Sequence, residues 1–122
     1  MKKQKSTSVL YVSGLQYNAG PEKKAKFDKW FEEEHVPIQF KARGMKKAIR
    51  YKLGEPVMAG KAEDYPDYLT VYEFEDRKSF DEYRTGPVYD EVHQNVMKNW
   101  PEGRPFKIMW RLVYETVTEW NK

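Results

Sequence analysis

A chain of 122 residues with 39% hydrophobic content has material for one core and not two, because domains commonly need roughly 100 residues or more, and its four Trp, nine Tyr and six Phe supply apolar area that disordered segments lack. The absence of cysteine excludes disulfides, thiolate nucleophiles and cysteine-ligated zinc or iron–sulfur centres. The net charge of +3 is accounted for by the three lysines of the opening MKKQK, so the remainder of the chain balances and its overall charge does not call for a polyanionic partner.

Residues 1–7 read as a basic tail and residues 8–122 as a single domain. The opening SVLYVSG is too short for a signal-peptide core, and no run approaches the roughly 18 apolar residues of a membrane span. The expectation is a soluble, cytoplasmic protein with no membrane partner. SVLYVSGLQY (8–17) carries apolar residues on both alternating faces, the pattern of a covered strand. NAGP breaks it, and Pro21 suits the first turn of a helix running to about Val36, where Pro37 disturbs it.

MKKAIRYKL (45–53) and DYLTVYEFE (67–75) are the next strands. The 13-residue connection between them, GEPVMAGKAEDYP, is long for a hairpin and is expected to lie over a site. A helical pattern follows from Asp76, breaks at TGP (85–87) and resumes through VYDEVHQNVMKNW. In the final strand, FKIMWRLVYETV, alternation puts Ile108, Trp110, Leu112 and Tyr114 on one face and Met109 and Val113 on the other. Strand, helix, strand, strand, helix, strand is the ferredoxin-like βαββαβ order: an α+β fold with a four-stranded antiparallel sheet and both helices on one face. The other face would be bare and apolar, so a homodimer burying sheet face against sheet face is expected.

FDKWFEEEHVP (27–37) holds one of only two histidines. At 100° per residue Phe27, Trp30, Phe31 and Ile38 share one arc, Glu34 falls inside it, His35 sits at its edge, and Glu32 and Glu33 face water. A carboxylate on that side is costly unless paired or hydrogen-bonded. One reading pairs Glu34 with Arg50 and leaves His35 as a boundary residue. The other puts Glu34 and His35 at the mouth of a cleft walled by tyrosine and tryptophan rings, where an imidazole can move protons. His93 lies on an apolar helix face with Tyr89, Val92, Val96 and Trp100. Trp30, Tyr51, Tyr72, His93 and Trp110 are the candidates for binding a small apolar or aromatic ligand.

Nucleotide-phosphate loops and nucleophile elbows have no sequence support, and two histidines without cysteine argue against a metal site. The same strand order builds RNA-recognition domains, and residues 41–52 hold six basic residues and no acid. DYLTVYEFE nevertheless lacks the basic-Gly-aromatic pattern of such domains and is flanked by acids, so no nucleic-acid partner is expected.

The segment KFDKWFEEEHVPIQFKARGMKKAIRYKL resembles the first half of EthD-like members of the dimeric α/β barrel superfamily: a helix ending in Glu-His-x-Pro after aromatic residues, a small-residue turn, and a strand reading Arg-Tyr. SFDEYRTGPVYDEVHQNV is similar to that superfamily's second helix, broken after an aromatic pair. The resemblance implies ferredoxin-like subunits whose sheets close into a barrel, each with an apolar pocket between sheet and helices. Relatives of this architecture include polyketide cyclases, lactone isomerases, quinone-forming monooxygenases and haem-using enzymes, and the fold does not choose among them. The leading expectation is cofactor-free proton transfer of cyclase or isomerase type on a small apolar, aromatic or polyketide-like molecule, with His35 as general acid/base and Glu34 orienting it or tuning its pKa. The alternatives are a non-catalytic or stress-associated binding dimer and a haem- or oxygen-using monooxygenase. The long loop after the second strand departs from the family pattern.

Overall fold

The computed structural model describes residues 2–122. Its strands are β1 (Lys2–Gln4), β2 (Val9–Tyr17), β3 (Met45–Lys52), β4 (Tyr68–Phe74), β5 (Phe106–Glu115) and β6 (Glu119–Asn121). Its helices are α1 (Lys24–Trp30), which continues through a π-helical turn (Phe31–His35) into α2 (Val36–Gln39), then α3 (Arg77–Arg84) and α4 (Pro87–Asn99). Four strands form an antiparallel sheet in the order β3-β4-β2-β5, the α+β, ferredoxin-like arrangement that the order of elements predicts. The lysine-rich start carries β1, which pairs with β6 in a separate, fully exposed ribbon. Among the described residues no helix is long and apolar enough to cross a membrane.

Alternation sends Val9, Tyr11 and Leu15 of β2 and Thr70, Tyr72 and Phe74 of β4 toward the helices, where all are buried. The core has two centres. One packs Tyr11, Tyr72 and Phe74 against Phe80 and Tyr83 of α3; the other packs Leu15 and Phe106 against Phe27, Trp30, Phe31 and Trp100. Asp76 caps α3, its carboxylate accepting from the Ser79 N–H at 2.8 Å. Pro87 opens α4 because its missing N–H costs nothing in a first turn.

The structure corrects the simple alternation of β5. Gly14 pairs with Trp110 but Leu15 pairs with Ile108, so Met109 is the extra residue of a β-bulge. The bulge flips the phase: Ile108 and Phe106 join the core beneath the helices, while Trp110, Leu112 and Tyr114 lie on the opposite face. On that face Gly14 leaves room for the Trp110 ring and Pro66, since a Cβ there would stand 2.9 Å from Pro66 and 3.1 Å from the indole. Gln16 also reaches from this face, its Nε2 donating to the carbonyls of Glu63 and Tyr65. The end of the long connection at 54–66 is thereby held on the side of the sheet away from the helices.

Candidate functional site

The helix that carries His35 does not keep the 100° spacing. The N–H of Val36 bonds the carbonyl of Phe31, five residues back, which is the signature of a π turn holding one residue more than an α turn. Every later residue takes the angular place of its predecessor. His35 therefore turns into the core where Glu34 was expected, and Gln39 takes the inward place expected of Ile38; both are buried. The widened turn also accommodates Pro37, which has no N–H to give, so the helix runs on to Gln39 and does not stop near Val36.

Glu34 is correspondingly displaced from the expected site. It is exposed, and its Oε1 accepts from Nδ2 of Asn95 at 3.1 Å and of Asn99 at 3.4 Å. Asn95 in turn accepts from the Trp30 indole N–H at 2.7 Å. These bonds tether α4 to the first helix. Nor does Glu34 pair with Arg50, whose guanidinium bonds Asp28 at 2.9 Å and Glu32 at 2.7 Å and lies over Tyr68 and Phe31.

His35 packs against Trp30 and Phe31, with ring centroids 4.9 and 4.7 Å away. It lines a cleft of about 710 Å³ between α4 and strands β2 and β5, walled by Leu15, Val92, Val96, Trp100 and Phe106, with Ser13, His93, Arg104 and Arg111 as polar groups. That is the size range of small-molecule pockets. A recess of about 20 Å³ shares His35, His93 and Arg111 with the cleft and reaches Tyr11, Gln39, Tyr72, Tyr83 and Tyr89. A further hollow of about 160 Å³ continues past Arg111 to Arg84 and Phe80.

The floor of the recess is a hydrogen-bonded net. Gln39 donates from Nε2 to the Tyr72 hydroxyl and accepts at Oε1 from the Tyr83 hydroxyl, both at 2.8 Å. Burial pushes both phenols up, so they act as neutral hydrogen-bonding groups and not as bases. Burial first, then the Arg111 and His93 charges, push the His35 imidazole down to about 3. The ring is neutral near pH 7, and its buried Nδ1 has no hydrogen-bond partner, a costly state. His93 is exposed and meets Tyr89 edge-on at 4.5 Å. Among the described residues no three His, Asp or Glu side chains converge as a metal site requires.

Of the residues singled out in the sequence, His35, Tyr72 and His93 come together here. Trp30 stands behind His35 as core packing rather than as a wall of the cleft. Tyr51 and Trp110 do not belong to the cleft: their ladder partners, Leu69 and Gly14, place them on the opposite sheet face. Gln39, Tyr83 and Arg111 line the site without having been expected. Arg111 carried a signal, since a lone arginine between Trp110 and Leu112 shares its face with Val113 and the helices. Gln39 carried none, because only the π turn brings it inward.

Residues 10–104 match the family described as domain of unknown function (DUF4286). The chain belongs to this family. No curated protein matches it in sequence. Solved structures share its fold. An EthD family protein from Bacillus halodurans is 18% identical, with a TM-score of 0.57 over 90% of this chain and 98% of that one. SnoaB from Streptomyces nogalater, described as a cofactor-independent oxygenase, is 10% identical, with a TM-score of 0.59 over 91% and 94%. A protein of unknown function from Bacteroides fragilis, described as dimeric with a ferredoxin-like fold, is 16% identical, with a TM-score of 0.58 over 91% and 98%. At these identities the likeness is one of fold, and it agrees with the EthD-like, ferredoxin-like resemblance seen in the sequence.

Proposed function

We propose that the cleft binds a small, largely apolar aromatic or polyketide-like molecule and moves a proton on it without a cofactor. The observation that carries this reading is a buried neutral imidazole, with one ring nitrogen unpartnered, on the wall of an apolar cavity of ligand size. A C–H proton beside a carbonyl passes to a nitrogen of His35 while its electron pair moves into the carbonyl and forms an enolate near Arg111. Return of the proton at another carbon gives an isomer; attack of the enolate carbon on a second carbonyl, whose oxygen takes the proton, closes a ring. An imidazole held at about 3 is a weak base in the empty protein, but a growing enolate offsets the arginine charge that helps depress it, so its basicity rises as the reaction proceeds. His93 exchanges the proton with water at the mouth. Glu34 serves only by tethering α4, which bears His93, to the helix that bears His35.

The test is deuterium exchange at the benzylic carbon of 2-tetralone in heavy water, followed by NMR. The protein is expected to accelerate exchange, and His35→Gln to lower the acceleration by about 100-fold or more. Equal rates with the variant and the parent protein would remove His35 from the chemistry. Oxygen uptake on a polycyclic phenol would instead favour an oxygenase, the activity described for SnoaB, and a Soret band on haem titration a haem enzyme.

The open sheet face presents Ile49, Tyr51, Leu112 and Tyr114, all at least 36% exposed. A second copy covering that face would remove this apolar patch from water, and the Bacteroides fragilis protein of the same fold is described as dimeric. Sedimentation at micromolar concentration is expected to give twice the chain mass of 14.6 kDa; a species of the single chain mass would contradict the pairing.

A further inference from the structure

The charged residues are not spread evenly over the cleft. Arg111 lines the main cavity, the recess and the hollow beyond, Arg104 lines the first and Arg84 the last, and no Asp or Glu lines any of the three. The chain has 19 acidic residues, and outside the three cavities Arg50 bonds Asp28 and Glu32 and Arg77 bonds Asp81, while Arg43 has no carboxylate partner among the described residues. Among the described residues Arg84, Arg104 and Arg111 have no carboxylate partner. Arg84 and Arg104 rest against the rings of Phe80 and Phe106 instead.

A solvated surface arginine needs no partner, and Arg84, Arg104 and Arg111 are all exposed, but Arg111 lines all three cavities, two of which His35 lines as well. Its charge is felt by buried groups around the recess, opposing protonation of His35 and favouring ionisation of Tyr11 and Tyr72. Such a lining disfavours cations and rewards an anion, which a guanidinium can grip with two parallel hydrogen bonds. The walls, Leu15, Val92, Trp100 and Phe106, suit a flat ring system.

We infer that the ligand is an aromatic acid, a flat ring system bearing one anionic oxygen group, and that Arg111 holds that group, with His35 within the same cleft as the second polar contact. The inference rests on the cleft being a small-molecule site and adds the charge of what enters it. It makes Arg111 a specificity residue: it selects the ionised ligand and is placed to steady the enolate of the proposed reaction.

The test compares binding of 1-hydroxy-2-naphthoate and its neutral methyl ester by calorimetry to the full chain and to Arg111→Gln, with Arg77→Gln as a control outside the cleft. The parent protein is expected to bind the acid at least ~10-fold more tightly than the ester, with the advantage shrinking as salt is raised. Arg111→Gln should bring the acid down to the level of the ester and leave the ester unchanged, while Arg77→Gln alters neither. Should Arg111→Gln fail to fold, Arg111→Lys, which keeps the charge but loses the fork, is expected to retain only part of the preference. Equal affinity for acid and ester, or a preference untouched by either Arg111 variant, would overturn the inference while leaving the cleft as a site for neutral molecules. Binding of neither compound would count against the small-molecule reading itself.

Discussion

Gln39→Leu is expected to destabilise the fold by roughly 2–4 kcal/mol, although the two side chains are close in size. Gln39 is 2% exposed and joins two tyrosine hydroxyls that are themselves buried. Leucine would leave both hydroxyls in a dry recess without the amide, and each abandoned buried group costs about 1–3 kcal/mol. A urea titration checks this as a lower midpoint at unchanged slope. Replacing the hydroxyls as well, with Tyr72→Phe and Tyr83→Phe in the leucine background, should recover most of the loss, because removing all partners of a network leaves nothing unsatisfied. A single leucine variant within about 0.5 kcal/mol of the parent would mean that the net is wet rather than buried.

Mild acid should destabilise the protein through His35, and His35→Phe should blunt that effect. The folded imidazole protonates only near about 3, whereas the unfolded one does so near about 6.5. Between these values the unfolded chain binds a proton that the folded chain refuses. Stability is therefore complete above the unfolded value and is lost as pH falls toward the folded one, at up to about 1.4 kcal/mol per pH unit. Asp28, held low by bonds to Lys24 and Arg50, and Asp76, held low by its bond to the Ser79 N–H, add a separate loss. That loss begins only below the ordinary carboxylate range, about pH 4. Urea midpoints between about pH 6.5 and 4.5 thus isolate the histidine. Phenylalanine can pack against Trp30 and Phe31 in its place, and its midpoint should fall much less across that window. Parallel curves for the two proteins would show that His35 is free to protonate in the fold.

Element order was readable because the strands keep period two and the breakers, NAGP, TGP and PEGRP, sit between periodic runs. Two local irregularities account for most of what was misplaced, and neither has a sequence signature. The bulge at Met109 puts Ile108 and Trp110, expected on one face, on opposite faces, so an indole expected among the ligand contacts lies on the far side of the sheet from the cleft. The π turn advances the helix by one residue, which exposes Glu34 and buries His35 and Gln39. Counting at 100° per residue found the right helix face and the wrong occupants. In the sequence Arg111 shows only as an arginine between Trp110 and Leu112, because the meeting of three hollows at its side chain is a property of tertiary packing.

The most direct measurement is an NMR titration of the His35 ring nitrogens in the ligand-free protein, from about pH 7.5 down to about 4.5. A buried neutral imidazole on the cleft wall predicts nitrogen shifts of one neutral tautomer that stay constant across the range and move when 1-hydroxy-2-naphthoate is added. Shifts that follow a protonation curve centred near the ordinary histidine value of about 6.5, and ignore the added acid, would contradict it.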